Sequence, residues 1–264
     1  MDRMDGLAGV LAGPANVIMQ LSHPPVAYGV LESKVESGRL TEHPLKRFRT
    51  TFTYLAVATL GTDPERDRYR RALDGVHAAV HSGPDSPVAY DAFDPELQLW
   101  VAACLYKGAE DVTTRFFGPM DGATADEFYR SSATLGTTLQ VPPEMWPTDR
   151  AAFEEYWARG LARVSIDPTV RRYLYDMASL RFLPRPVRAV NGPLNLWLTI
   201  GFLPPEFRAA MGFRWSPQDQ SRFDRLVGVL AALRRPLPAR VRRFPLDWFL
   251  WDFRVRSKLG LRLL

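Results

Sequence analysis

Apolar positions recur along this chain with a helical period. Phe48, Phe52, Leu55, Ala56 and Leu60 form one stripe, and His43-Pro44 just ahead of it is a natural helix start. Gly61 closes that segment, and Thr62-Asp63-Pro64-Glu65 opens a new one. The hydroxyl or carboxylate caps, the proline fits the first turn, and the acids meet the helix dipole. This helix is expected to run through Tyr69, Leu73, Val76, His77 and Val80 to Gly83. Phe93-Asp94-Pro95-Glu96 starts the next, with Asp94 as cap and Leu97, Trp100, Val101, Cys104 and Leu105 on its inner side. Asp121 to Thr124 caps a helix through Phe128 and Leu135, Thr148 caps the one holding Phe153, Tyr156 and Trp157, and Asp167-Pro168 opens another. Later helices are expected near 190–203, 205–211, 217–233 and 245–259.

Strand alternation, Asn-Gly hairpins and a repeat of 20–50 residues are all absent from the pattern. The 22 prolines fall mostly at helix starts and links, and no long Gly/Ser linker divides the chain. The expectation is an all-α fold: a single compact multi-helix domain over residues 1–264, ending in a basic, aromatic helical segment from about 216.

Composition narrows the function classes. A 46% hydrophobic chain of 264 residues can bury a real core. One cysteine, Cys104, excludes an internal disulfide, a CxxC metal knuckle and a covalent CxxCH haem attachment, and fits a reducing, cytoplasmic compartment. The first 21 residues carry two aspartates ahead of an apolar part broken by Pro14, Asn16 and Gln20, which is not the pattern of a signal peptide. The uncharged span Gly6 to Leu31 holds three prolines and reads as buried helix and loop. From Pro205 onward there are 13 Arg and Lys against 5 Asp and Glu, interleaved with aromatics in FPLDWFLWDFRVRSKLGLRLL. Two readings follow: a C-terminal helix packed by its aromatics with arginines in solvent, or a peripheral membrane contact. Nucleic acid is the less suitable partner.

Candidate chemistry centres on LDGVHAAVHSG, which holds two of the four histidines. A zinc site of the HExxH kind lacks its glutamate here, and a di-iron bundle would need Glu-x-x-His, which does not occur. GxSxG, GxGxxG and the P-loop pattern are missing too. One neutral imidazole on an apolar helix face can hold a non-covalent haem, and His77 among Leu73, Val76 and Val80 has that setting. A satisfied core histidine is the alternative at the same position.

Four blocks in order alter the balance: QLSHPPVAYGV, HPLKRFRTTFTYLAVATLG, VHAAVHSG and AYDAFDPELQLWVAACL. Together they resemble the MpaB-type oxygenase family, which includes the catalytic domain of rubber oxygenases, over roughly residues 10 to 215. The resemblance implies a mainly helical fold, a non-covalent haem b and oxidative chemistry with dioxygen on an apolar organic substrate. By motif position His77 would be the proximal iron ligand, and Arg47 and Thr51 match the family's RLxRT element. His23 matches the histidine of its HPxVA element. Thr50 stands where rubber oxygenases carry a lysine, and Ala102 stands where the family's WVHA pattern has histidine.

The borrowed roles agree with elementary chemistry. Arg47 and Thr51 are four apart and face one way from a helix, so the guanidinium could pair with a haem propionate or act on the oxygen side. Without the family, Arg47 would read as a surface residue of the run Lys46-Arg47-Arg49. His77 needs its second ring nitrogen held, by Asp74 one turn earlier or by a partner from elsewhere. His23 could be a sixth ligand, a distal hydrogen-bond donor or a turn residue, and Tyr90 could line the pocket from a loop. The leading expectation is a haem-dependent oxygenase. Its rivals are a haem carrier, sensor or electron-transfer protein, and a helical protein that binds membrane or nucleic acid through its basic end.

Overall fold

In the computed structural model the described residues are 5–33, 35 and 44–264. His43, expected at a helix start, lies outside them. Among the described residues the chain is all-α, with no β-strand and a single isolated antiparallel bridge between His81 and Asp91.

The first two helices, α1 (Gly6–Gln20) and α2 (Pro24–Leu31), account for the uncharged N-terminal span. Small residues at helical spacing, Ala8, Ala12 and Ala15, let α1 approach its neighbours closely, and Ile18 and Met19 complete its buried face. Its main partners are α5 (Pro95–Phe117), where Trp100, Ala102, Ala103 and Cys104 are fully buried, and α10 (Arg185–Phe202). Around this centre lie α3 (Pro44–Leu60), α4 (Asp63–His77), α6 (Gly122–Ser132), the short α7 (Thr134–Thr137), α8 (Arg150–Leu161) and α9 (Pro168–Ala178). The chain closes with α11 (Pro205–Met211), α12 (Pro217–Arg234), α13 (Ala239–Arg243) and α14 (Leu246–Lys258), the last packed along α3. One contiguous apolar core joins them.

Caps explain most of the boundaries. Asp94, Asp121 and Asp167 each accept a backbone N–H at the start of α5, α6 and α9, and Thr62 with Glu65 forms a capping box on α4. The cap of α8 is Asp149 rather than Thr148: its carboxylate accepts from the Ala152 N–H. A second boundary differs more. The helix expected to reach Gly83 stops at His77. A tight turn brings the Val80 N–H to the His77 carbonyl, and the chain then pairs with the segment 90–92: Ser82 N–H to Tyr90 O, Ala92 N–H to Val80 O. Pro84 opposes helix in the residue before it, and two backbone bonds to the neighbouring loop replace those a longer helix would have made. His77 and His81 therefore do not share a helix face, and His81 is exposed.

No helix among the described residues is long and apolar enough to cross a membrane.

Candidate functional site

A cleft of about 250 Å³, open to solvent on one side, lies between α2, α3, α4 and α5. Its walls are mostly apolar, from Val26 and Val30 of α2, Leu73 and Val76 of α4, and Leu97, Val101 and Leu105 of α5. Polar groups come from separate parts of the chain, among them Arg47, Thr50, Thr51 and Tyr54 of α3, Tyr69 and His77 of α4, Tyr90 and Asp91 of the following loop, and Gln98 of α5. A mostly apolar cleft with a few converging polar groups is the usual form of a small-molecule site. Helix period puts residues 47 and 51 on one face of α3, and the same period on α4 aligns Leu73, Val76 and His77.

His77 is held by a relay. Its Nδ1 lies 2.9 Å from Gln140 Oε1, and Gln140 Nε2 donates to Asp74 Oδ1 at 2.7 Å. The order of these bonds sets the tautomer. The Asp74 carboxylate can only accept, so the Gln140 amide must turn its NH2 toward Asp74 and its oxygen toward His77. Nδ1 then carries the proton, and the free lone pair of the imidazole is on Nε2. Burial pulls the His77 pKa below the ordinary histidine value, against the bond from Gln140 and the Asp74 charge, with the Arg47 charge adding to the drop. Burial thus favours the neutral ring.

Gln98 fixes the relay in place. From α5 its Nε2 donates to Ala92 O at 2.6 Å and to Gln140 Oε1 at 2.5 Å, while its Oε1 accepts the Gln140 N–H at 2.6 Å. One buried amide thus ties α5 to the 90–92 loop and to the chain before Val141-Pro142. Gln140 and Gln98 carry no sequence signal: a lone glutamine before a proline turn looks like any surface residue, and only the fold brings it under His77.

Arg47 lines the cleft with part of its side chain buried, and that burial draws its pKa down from the usual arginine value, though a guanidinium stays charged. Tyr90 is buried, lines the same cleft and donates to Glu32 Oε2 at 2.8 Å. Burial first, and the Glu32 carboxylate second, push its phenol up to about 12. Thr50 uses its hydroxyl on the Arg47 carbonyl, at 3.1 Å. Ala102 is fully buried and does not line the cleft, so its departure from the family pattern lies outside this wall.

His23 is elsewhere. Its ring stacks on Trp100 with centroids 3.8 Å apart, and its Nε2 lies 3.0 Å from Gly160 O. Gly160 is required there, since a Cβ would run into the Trp100 ring. Burial lowers the His23 pKa to about 4, so the ring is a neutral core group. The structure brings Arg47, Thr51, His77 and Tyr90 together and leaves His23 outside. Among the described residues no three His, Cys, Asp or Glu side chains gather into a metal-binding group. Among the described residues, the cleft offers one imidazole, that of His77.

A helical protein with such a cleft belongs to a recognisable class. Residues 3–232 match the family described as ER-bound oxygenase mpaB/B'/rubber oxygenase, catalytic domain, and the chain belongs to that family. An uncharacterized protein of Mycobacterium bovis is 53% identical over 254 residues, 96% of this chain and all of that relative. An uncharacterized protein of Mycobacterium tuberculosis matches to the same extent. No solved structure matches the chain.

Proposed function

We propose that this chain is an oxygenase that holds haem b through His77 and oxidises a small apolar organic molecule with dioxygen. The observation that carries the reading is the His77–Gln140–Asp74 relay. A metal-ligating histidine needs a free nitrogen and a held one, with the held N–H donating to an acceptor that is itself fixed. His77 meets that requirement in a cleft where apolar walls from three helices surround it. The donor set fits: a neutral nitrogen ligand, an apolar surround for the porphyrin face, and one guanidinium, Arg47, for a propionate.

When bound, the haem supplies the iron redox chemistry that lets dioxygen react. The chain's own residues do the rest. His77 is oriented by Gln140, and burial favours its neutral form. Arg47 supplies positive charge at the cleft. Thr51, one turn along α3, offers a hydroxyl to an oxygen or a water. Tyr90 keeps its proton, because burial and then its bond to Glu32 favour the neutral phenol. Val26, Val30, Leu73 and Val101 exclude water and favour an apolar substrate. His23 has no part in this reading. A carrier with two axial histidines would need a second imidazole on the cleft, and among the described residues neither His23 nor His81 lines it.

The test is an absorption spectrum of protein expressed with a haem precursor, oxidised and then reduced. Wild type should show a Soret band, and His77→Ala should lose it. A band of equal intensity in the variant removes His77 as the ligand. No band in wild type after direct haemin titration removes the cofactor.

A further inference from the structure

The face of α14 turned away from the core carries large apolar side chains. Trp248 and Trp251 stand one turn apart with ring centroids 5.0 Å apart, and they are 55% and 53% exposed. Leu259 continues the stripe at 67%, and Phe244, just before the helix, is 60% exposed. The opposite face is fully used: Leu246, Leu250 and Phe253 are buried, and Phe249 packs against Phe48 and Phe52 of α3. The outward tryptophans are therefore not part of the core.

Charge accompanies this stripe. Between Ala239 and Leu264 there are 7 Arg and Lys against 2 acids, Asp247 and Asp252. Both acids are committed, Asp247 to Arg243 at 3.1 Å and Asp252 to Arg256 at 2.9 Å. Arg240, Lys258 and Arg262 have no carboxylate partner among the described residues. Beyond the helix, Gly260 takes a left-handed turn at φ 65°, and the Leu261 N–H closes on Arg256 O at 3.0 Å. Leu261 is half exposed, while Leu264 is buried and lines the functional cleft. One segment thus leads from the exposed stripe to the cleft wall.

We propose that this face, Phe244 to Leu261, docks on an anionic lipid surface. Trp248 and Trp251 enter the interfacial layer, and Arg240, Lys258 and Arg262 meet lipid phosphates. Tryptophans favour that layer because one ring offers both an apolar body and a polar N–H. A basic amphipathic helix beside them adds attraction to anionic headgroups. A second copy of the chain is the poorer occupant, because it would set this cationic segment against itself. The proposal does not rest on the haem reading.

The experiment uses the full chain with vesicles of phosphatidylcholine, alone or with about a third phosphatidylglycerol, read by co-sedimentation and tryptophan emission. Binding to the mixed vesicles with a blue-shifted emission is expected, and it should fall at least about tenfold at about 0.5 M salt. Trp248→Ser with Trp251→Ser should lower partition at least about tenfold, and Arg240→Glu with Lys258→Glu should do likewise. No binding to anionic vesicles overturns the proposal, as does binding that survives the paired tryptophan substitution. A concentration-dependent dimer lost in the tryptophan variant overturns it too, because the face would then be a self-contact. Soret absorbance after haemin addition, read on the same samples, reports on the cleft separately.

Discussion

Gln140→Leu is the sharpest perturbation of the site, because it keeps the side chain's bulk and removes its polar end. Three bonds disappear: the one to His77 Nδ1 at 2.9 Å, the one to Asp74 Oδ1 at 2.7 Å and the one from Gln98 Nε2 at 2.5 Å. The backbone bond from the Gln140 N–H to Gln98 survives, and Gln98 Nε2 keeps Ala92 O, so the loop stays anchored. The stability cost comes from His77 and Asp74, which lose their partner. A hydrogen bond to a charged group is worth about 1.5–3 kcal/mol and a neutral one about 0.5–1.5. Gln140 is half-buried, so water replaces part of each bond, and about 2 kcal/mol is the expected loss. Unfolding in urea should read that figure directly. The ligand effect is separate. With Nδ1 no longer held, the ring loses its fixed tautomer and orientation, which typically weakens metal binding about 10–100-fold. Haemin titration followed at the Soret band should show that weakening, with the variant still helical by circular dichroism. Haemin affinity within about twofold of wild type, in a variant destabilised as expected, would refute the relay as the support of the ligand.

Further outcomes follow from other parts of the molecule. Arg47→Gln should weaken haemin retention without unfolding the chain, and an unchanged dissociation rate would remove Arg47 from the cofactor contact. Gly160→Ala should cost about 1–3 kcal/mol in a denaturant titration, because its methyl must displace the Trp100 ring. His23 gives a pH signature. Its folded pKa of about 4 lies below the unfolded value of 6.5, so its neutral form stabilises the fold fully above pH 6.5. That contribution is lost as pH falls toward 4, at up to about 1.4 kcal/mol per pH unit and about 2 kcal/mol in all after solvent screening. His23→Phe keeps a ring on Trp100 and should flatten the fall in stability between pH 7 and pH 5; an unchanged slope would contradict this.

Helix positions were legible in the sequence wherever a cap stood next to an apolar stripe. Asp94-Pro95, Asp121 and Asp167-Pro168 each begin a helix where side-chain chemistry says they should. The end of α4 was not legible. Ala78 and Ala79 favour helix, and what stops it is a pairing with residues 90–92 that local sequence does not encode. His23 shows the same limit from the other side. Its motif is as clear as that of His77, yet the fold stacks it on Trp100 and bonds it to Gly160, 137 residues away.

By itself, the sequence determined the helical period, the caps, the uncharged first helices and the four blocks that mark the family. These depend on neighbours within a turn or two, where propensity, capping and periodicity act. Only the tertiary structure decided which histidine faces the cleft, that Gln140 and Gln98 hold it, and that two tryptophans of α14 face outward. Those outcomes depend on contacts between residues far apart in the chain, such as Gln140 with Asp74 and His77, and they exist only once the helices have packed.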